Sequence, residues 1–119
     1  MSYVDGFVIP VPKKKVAVYR RMATLACKVW KEHGALQYVE TVADDVKKGK
    51  LTSFPRAVKL KRGETVVFSF VVYRSRKDRD RVNAKAMKDA RLAAFMDPKK
   101  LPFDGKRMFY GGFEAIVSA

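Results

Sequence analysis

The chain has 119 residues, enough for a single domain spanning 1–119 whose folding buries roughly two-thirds of the unfolded surface. At 48% hydrophobic it carries the material for a packed core, which excludes a globally disordered chain. Its 26 Lys and Arg against 12 Asp and Glu give a formal charge of +14, spread evenly: residues 1–60 carry 12 basic and 5 acidic groups, and residues 61–119 carry 14 and 7. Such a coat attracts polyanions at long range without any specific site.

Cys27 is the sole cysteine and His33 the sole histidine, which excludes an internal disulfide and the usual Cys- or His-based metal sites. No apolar run approaches the ~20 residues a membrane helix needs, and the N-terminus has no signal-like apolar stretch. A cytoplasmic protein that uses no membrane is expected.

Ser2 to Pro10 alternates as a strand, with Tyr3, Asp5, Phe7 and Ile9 on one face, and is expected to stop at Pro10-Val11-Pro12. Lys13 to His33 is the strongest helix. Its apolar residues, among them Val16, Tyr19, Met22, Ala26 and Trp30, fill half the helical circle, as suits a helix lying flat on a sheet. Gly34 supplies its stop. Leu36 to Val42 reads as a second strand, and Val58–Lys61 as a short extra one ahead of the turn at Arg62-Gly63.

Glu64 to Tyr73 organises the rest. Seven of these ten residues are apolar or aromatic, so both faces of this strand want covering. Ser75 can cap a helix running to about Lys88, with Arg76–Asp80 and Lys85–Asp89 placed for i,i+4 ion pairs. A short helix over Ala90–Met96 follows, then a last strand, Met108–Val117. Its Gly111-Gly112 pair predicts a bulge, a bend or a close backbone approach.

The order β-α-β-β-α-β predicts an α+β fold of the ferredoxin-like kind, an antiparallel sheet with two helices on one face. Little chain is left for the other face, so a second copy packing sheet to sheet is expected, making a homodimer.

No nucleophile elbow, phosphate loop, dinucleotide fingerprint or metal cluster is present, and no cofactor is expected. The candidates for chemistry are His33, at the centre of the helix's apolar face, and the carboxylates Asp5 and Glu40 on mostly apolar strands. Their structural alternatives are a histidine bonding a free helix-end carbonyl and carboxylates paired with nearby Arg or Lys. Tyr38, Trp30, Tyr19 and Tyr110 could line a small-molecule pocket or simply pack with a polar tip. A competing reading is nucleic-acid binding through Lys13, Lys14, Lys15, Arg20, Arg21, Arg74, Arg76, Arg79 and Arg81. Val66–Tyr73 also partly fits the third-strand signature of RNA-recognition motifs, in which Phe68 and Phe70 would stack bases. It lacks the signature's opening basic-Gly pair, and its flanking valines favour burial. A purely structural dimer is the third reading.

The stretches YVDGFVIPVPKK, VWKEHGAL, TSFPRAVKLK, ETVVFSFVVYRSR and MDPKKLPFDGKRMFYGGF make the chain resemble the YbaA-like family of small bacterial proteins over nearly its whole length. That resemblance implies a dimeric α/β barrel, a ferredoxin-like protomer whose sheet packs on a second copy. It brings no catalytic residues with it. The wider superfamily includes cofactor-free monooxygenases, haem-degrading enzymes and small-molecule binders, so a pocket between sheet and helices is expected by analogy. The Asn, Trp and His of the haem-degrading relatives have no counterparts at matching motif positions, although Asn83, Trp30 and His33 are present.

Overall fold

The valine-rich run Glu64–Tyr73 forms strand β3 and pairs antiparallel with Tyr3–Pro12 (β1) along its whole length, from Tyr3 opposite Tyr73 to Pro12 opposite Glu64. In the computed structural model, which describes residues 2–95 and 97–119, Gln37–Val42 (β2) adds to the other edge of β3. Phe109–Glu114 (β4) adds to β1, giving the sheet order β2-β3-β1-β4. Val16–His33 (α1), entered through a 3-10 turn at Lys13–Lys15, and Arg76–Met87 (α3) cover one face. This is the α+β, ferredoxin-like architecture that the order of elements predicts.

β1 does not stop at Pro10 but continues through Pro12. The amide of Lys13 donates to Gly63 O, so odd-numbered residues here point their N–H groups at β3 and even-numbered ones point away. Beyond Val8, β4 no longer pairs with β1, and the N–H groups that Pro10 and Pro12 lack would have faced an empty edge.

Alternation along β3 sends Val67, Ser69, Val71 and Tyr73 under the helices, where all four are buried. Val67 packs with Ile9, Val11, Tyr19 and Ala23; Val71 and Tyr73 pack with Ala35 and Val82. The opposite face carries Val66, Phe68, Phe70 and Val72. It is covered only at one end, because the predicted extra strand at Val58–Lys61 is absent and a short helix precedes it instead. Ser53 accepts from the amide of Arg56 to start Phe54–Ala57 (α2), and Pro55 favours the helical start. α2 lays Phe54 on Phe68 (5.8 Å between ring centres) and is followed by Val58, buried against Val8 and Val66. Phe68, Phe109 and Phe113 remain 40%, 45% and 63% exposed on this face.

Ser75 caps α3 through the amide of Asp78, as the sequence indicates. The i,i+4 pairs do not form among the described residues. Asp80 instead meets its chain neighbour Arg79, and Asp89 meets Arg91, two residues on, and His33 at the end of α1. Ala90–Phe95 is 3-10 helical; the Met96 end of the expected helix lies outside the described residues. β4 is shorter than expected, and its glycines sit in unbroken register with β1. The close approach at Gly112 comes from a side chain: a Cβ there would lie 2.3 Å from the Tyr3 hydroxyl.

Candidate functional site

α1 presents Val16, Tyr19, Ala23 and Cys27 at helical spacing along one stripe, with Arg20 and Thr24 beside it. β2, the edge strand, turns Tyr38, Glu40 and Val42 toward that stripe because they share the face of Val71, Ser69 and Val67. Between the two lies a cavity of about 530 Å³, lined by these residues with Thr41 and Val67. Its polar centre is Glu40. Tyr19 Oη donates to Glu40 Oε1 at 2.7 Å, and Tyr38 Oη donates to Glu40 Oε2 at 2.8 Å. Burial pushes both phenol pKa values up, and the Glu40 charge pushes them further, so both tyrosines stay protonated donors. Each carboxylate oxygen keeps a lone pair for something in the cavity.

The structure thus brings together three of the predicted residues: Glu40, Tyr19 and Tyr38. Trp30 borders them, its ring 6.4 Å from that of Tyr38, but its Nε1 donates to Asn83 Oδ1 at 3.0 Å under α3. Tyr73 Oη donates to the same Asn83 oxygen at 3.3 Å. Asp5 sits elsewhere. β3 separates its strand from that of Glu40, which puts roughly 10 Å or more of sheet between them. Asp5 is 4% exposed and accepts from Arg79 Nη1 at 2.9 Å, while Arg79 also lies over the Tyr3 ring. Burial raises the Asp5 pKa, and the Arg79 charge opposes that rise.

His33 is outside the cavity lining. Its Nε2 lies 3.0 Å from Asp89 Oδ2, and Arg91 binds the same carboxylate and reaches Glu32. Arg91 first and His33 second hold the Asp89 carboxyl below its usual range. The His33 carbonyl, free at the helix end, accepts from Arg81 Nη1. Tyr110 stacks on Phe7 at 5.6 Å near the outer edge of the sheet, away from Glu40. Among the described residues no cluster of His, Cys, Asp and Glu could hold a metal, and no helix is long and apolar enough to cross a membrane.

The model of a family described as "Protein of unknown function (DUF1428)" matches residues 2–105, which include every residue of the cavity. The chain belongs to this family. It is 51% identical over 117 residues to "Uncharacterized protein YbaA" of Escherichia coli strain K12, covering 98% of both chains, and equally to the Shigella flexneri protein of that name. Among solved structures it is similar to Rv0793 from Mycobacterium tuberculosis, with a TM-score of 0.60 and 12% identity over 100% of this chain and 99% of that one. It is likewise similar to a dimeric ferredoxin-like protein from an uncultured marine organism, with a TM-score of 0.58 and 9% identity over the full length of both. At such identities these two structures speak to the fold alone.

Of the basic residues in the nucleic-acid reading, Lys13, Lys14, Lys15, Arg20, Arg21, Arg74 and Arg76 are exposed. Arg79 and Arg81 are engaged by Asp5 and Asp78. The sequence reading missed Thr24 and Cys27 as cavity residues. Their spacing from Arg20 and Ala23 was the available signal, yet small and uncharged residues on a helix look the same whether they meet a core or a cavity.

Proposed function

We propose that this protein is a homodimer joined through the open sheet face, and that each protomer binds or transforms a small molecule in the cavity between α1 and β2. The observation that carries the cavity reading is the isolation of Glu40. In a chain with 26 basic residues, this carboxylate makes no ion pair among the described residues; phenol hydroxyls hold both of its oxygens instead. Partly buried carboxylates ordinarily find a cation when so many are at hand. A carboxylate positioned by two donors and opening on a largely apolar cavity suits a ligand with an apolar body and a hydroxyl or amine hydrogen to give. If a reaction occurs there, Glu40 is the group placed to take the proton, and the two phenols orient it and stabilise its charge.

The homodimer reading rests on the exposed phenylalanines of the sheet face and on the dimeric state named for one structural neighbour. A thermal-shift screen of hydroxylated and amine-bearing small molecules tests the cavity: hits should raise the melting temperature of the wild type and not of Glu40→Gln. Hits that stabilise both proteins equally would place their binding elsewhere.

A further inference from the structure

The connection between β2 and β3 holds a second cleft, of about 560 Å³, that the proposed activity does not use. Its lining is Val46, Pro55 and Leu60 together with five cations: Lys48, Arg56, Lys59, Lys61 and Arg62. No carboxylate lines it. Glu64, two residues beyond Arg62, is taken: Arg107 Nη1 and Nη2 donate to its two oxygens at 2.8 and 2.6 Å, and the Lys61 amide donates to one of them. Among the described residues none of the five cations makes an ion pair, whereas Arg79, Arg81, Arg91 and Arg107 all do.

The walls are fixed. The Arg56 guanidinium donates to Lys48 O and Gly49 O, tying the loop to α2, and Arg107 Nη1 donates to the carbonyls of Val58 and Lys59. Lys59 stands at φ 50, a left-handed conformation better suited to Gly or Asn, and it is the single non-glycine residue with positive φ among those described. Arg56 spends its donors on the loop, which leaves Lys48, Lys59, Lys61 and Arg62 to face a ligand.

From the unpaired cations and the apolar floor we infer that this cleft binds a compact phosphate-bearing molecule. The lysines and Arg62 would take the phosphates, and Val46, Pro55 and Leu60 the body of the ligand. Five cations line this one concavity and no carboxylate does; Asp44 and Asp45, exposed in the same connection, stay outside the lining, so an even coat of charge does not account for the cluster.

Inorganic pyrophosphate, titrated calorimetrically into the full-length protein at roughly 150 mM salt, is the probe. Lys48→Gln/Lys59→Gln/Arg62→Gln should weaken binding about tenfold or more, while Lys13→Gln/Lys14→Gln/Lys15→Gln, which removes the same charge elsewhere, should change it less than about twofold. Equal weakening in both triple variants would reduce the effect to general charge and overturn the inference. So would undetectable binding to the wild type. Arg62→Glu alone, with a circular dichroism spectrum matching the wild type, should also abolish binding; if it binds normally, the assignment fails.

Discussion

Tyr19 on α1 and Tyr38 on β2 donate to opposite oxygens of one carboxylate, so the helix and the edge strand are joined through Glu40. Each bond is charge-assisted and half-buried, and each phenol loses its partner if Glu40 is removed. Tyr19→Phe and Tyr38→Phe should each cost about 1–2 kcal/mol by urea denaturation. Because the two bonds share an acceptor, the double variant should depart from additivity by about 0.5 kcal/mol or more. Two independent, negligible losses would show that the tyrosines merely touch Glu40.

Gly112 has no room for a side chain, since a Cβ there would sit 2.3 Å from Tyr3 Oη and 2.7 Å from the ring carbon Cε2. Tyr3 cannot swing away without disturbing Arg79, which holds Asp5. Gly112→Ala should therefore destabilise by about 1–3 kcal/mol. Much of that loss should vanish in the Tyr3→Ala background, where the clash is gone. An equal loss in both backgrounds would mean that glycine is needed for its backbone alone.

Acid should loosen the β3 entry. Arg107 hydrogen bonding is the main cause that lowers the Glu64 pKa from 4.5 in the folded protein. The unfolded chain then binds the extra proton, so stability rises with pH across this window. The contribution of the pair is complete above about 4.5 and is lost as pH falls through the depressed folded value. Glu64→Gln should flatten the low-pH fall in the thermal midpoint between about pH 5 and 3. Arg107→Ala, which leaves the half-buried carboxylate unpaired, should cost about 3 kcal/mol near neutral pH. A Glu64→Gln curve parallel to the wild type would contradict the assignment.

The open sheet face gives a prediction about assembly. Phe68→Asp or Phe113→Asp puts a charge into a contiguous phenylalanine surface on the side away from the helices. Sedimentation equilibrium should show the wild type at twice the protomer mass and the variants at the protomer mass. A wild type that sediments as a monomer, or variants that stay dimeric, would remove this face from the assembly.

Much of the fold was legible because it rests on periodicity. The bounds of Glu64–Tyr73 follow from its nearly unbroken apolar run, and the helix ending at His33 from a half-circle apolar face. Where tertiary context decides, the sequence was silent. The passage of β1 through two prolines depends on β4 having ended, and the short helix at Phe54–Ala57 depends on Ser53 and on Val58 seating against Val8. The site shows the same divide. Glu40, Tyr19 and Tyr38 stand out as polar tips on apolar faces. That they meet, while His33 turns to Asp89, is settled by the register of β2 on β3 and by the approach of the α3 end.

Cys27 lines the cavity and is the sole cysteine, so its reactivity reports directly on what enters beside Glu40. The decisive measurement is the rate at which a maleimide labels Cys27, with and without a hit from the thermal-shift screen, in the wild type and in Glu40→Gln. The cavity reading predicts that the hit slows labelling of the wild type in proportion to its occupancy and leaves the rate in Glu40→Gln unchanged. A hit that binds the wild type at saturation while Cys27 reacts at its unliganded rate would contradict it.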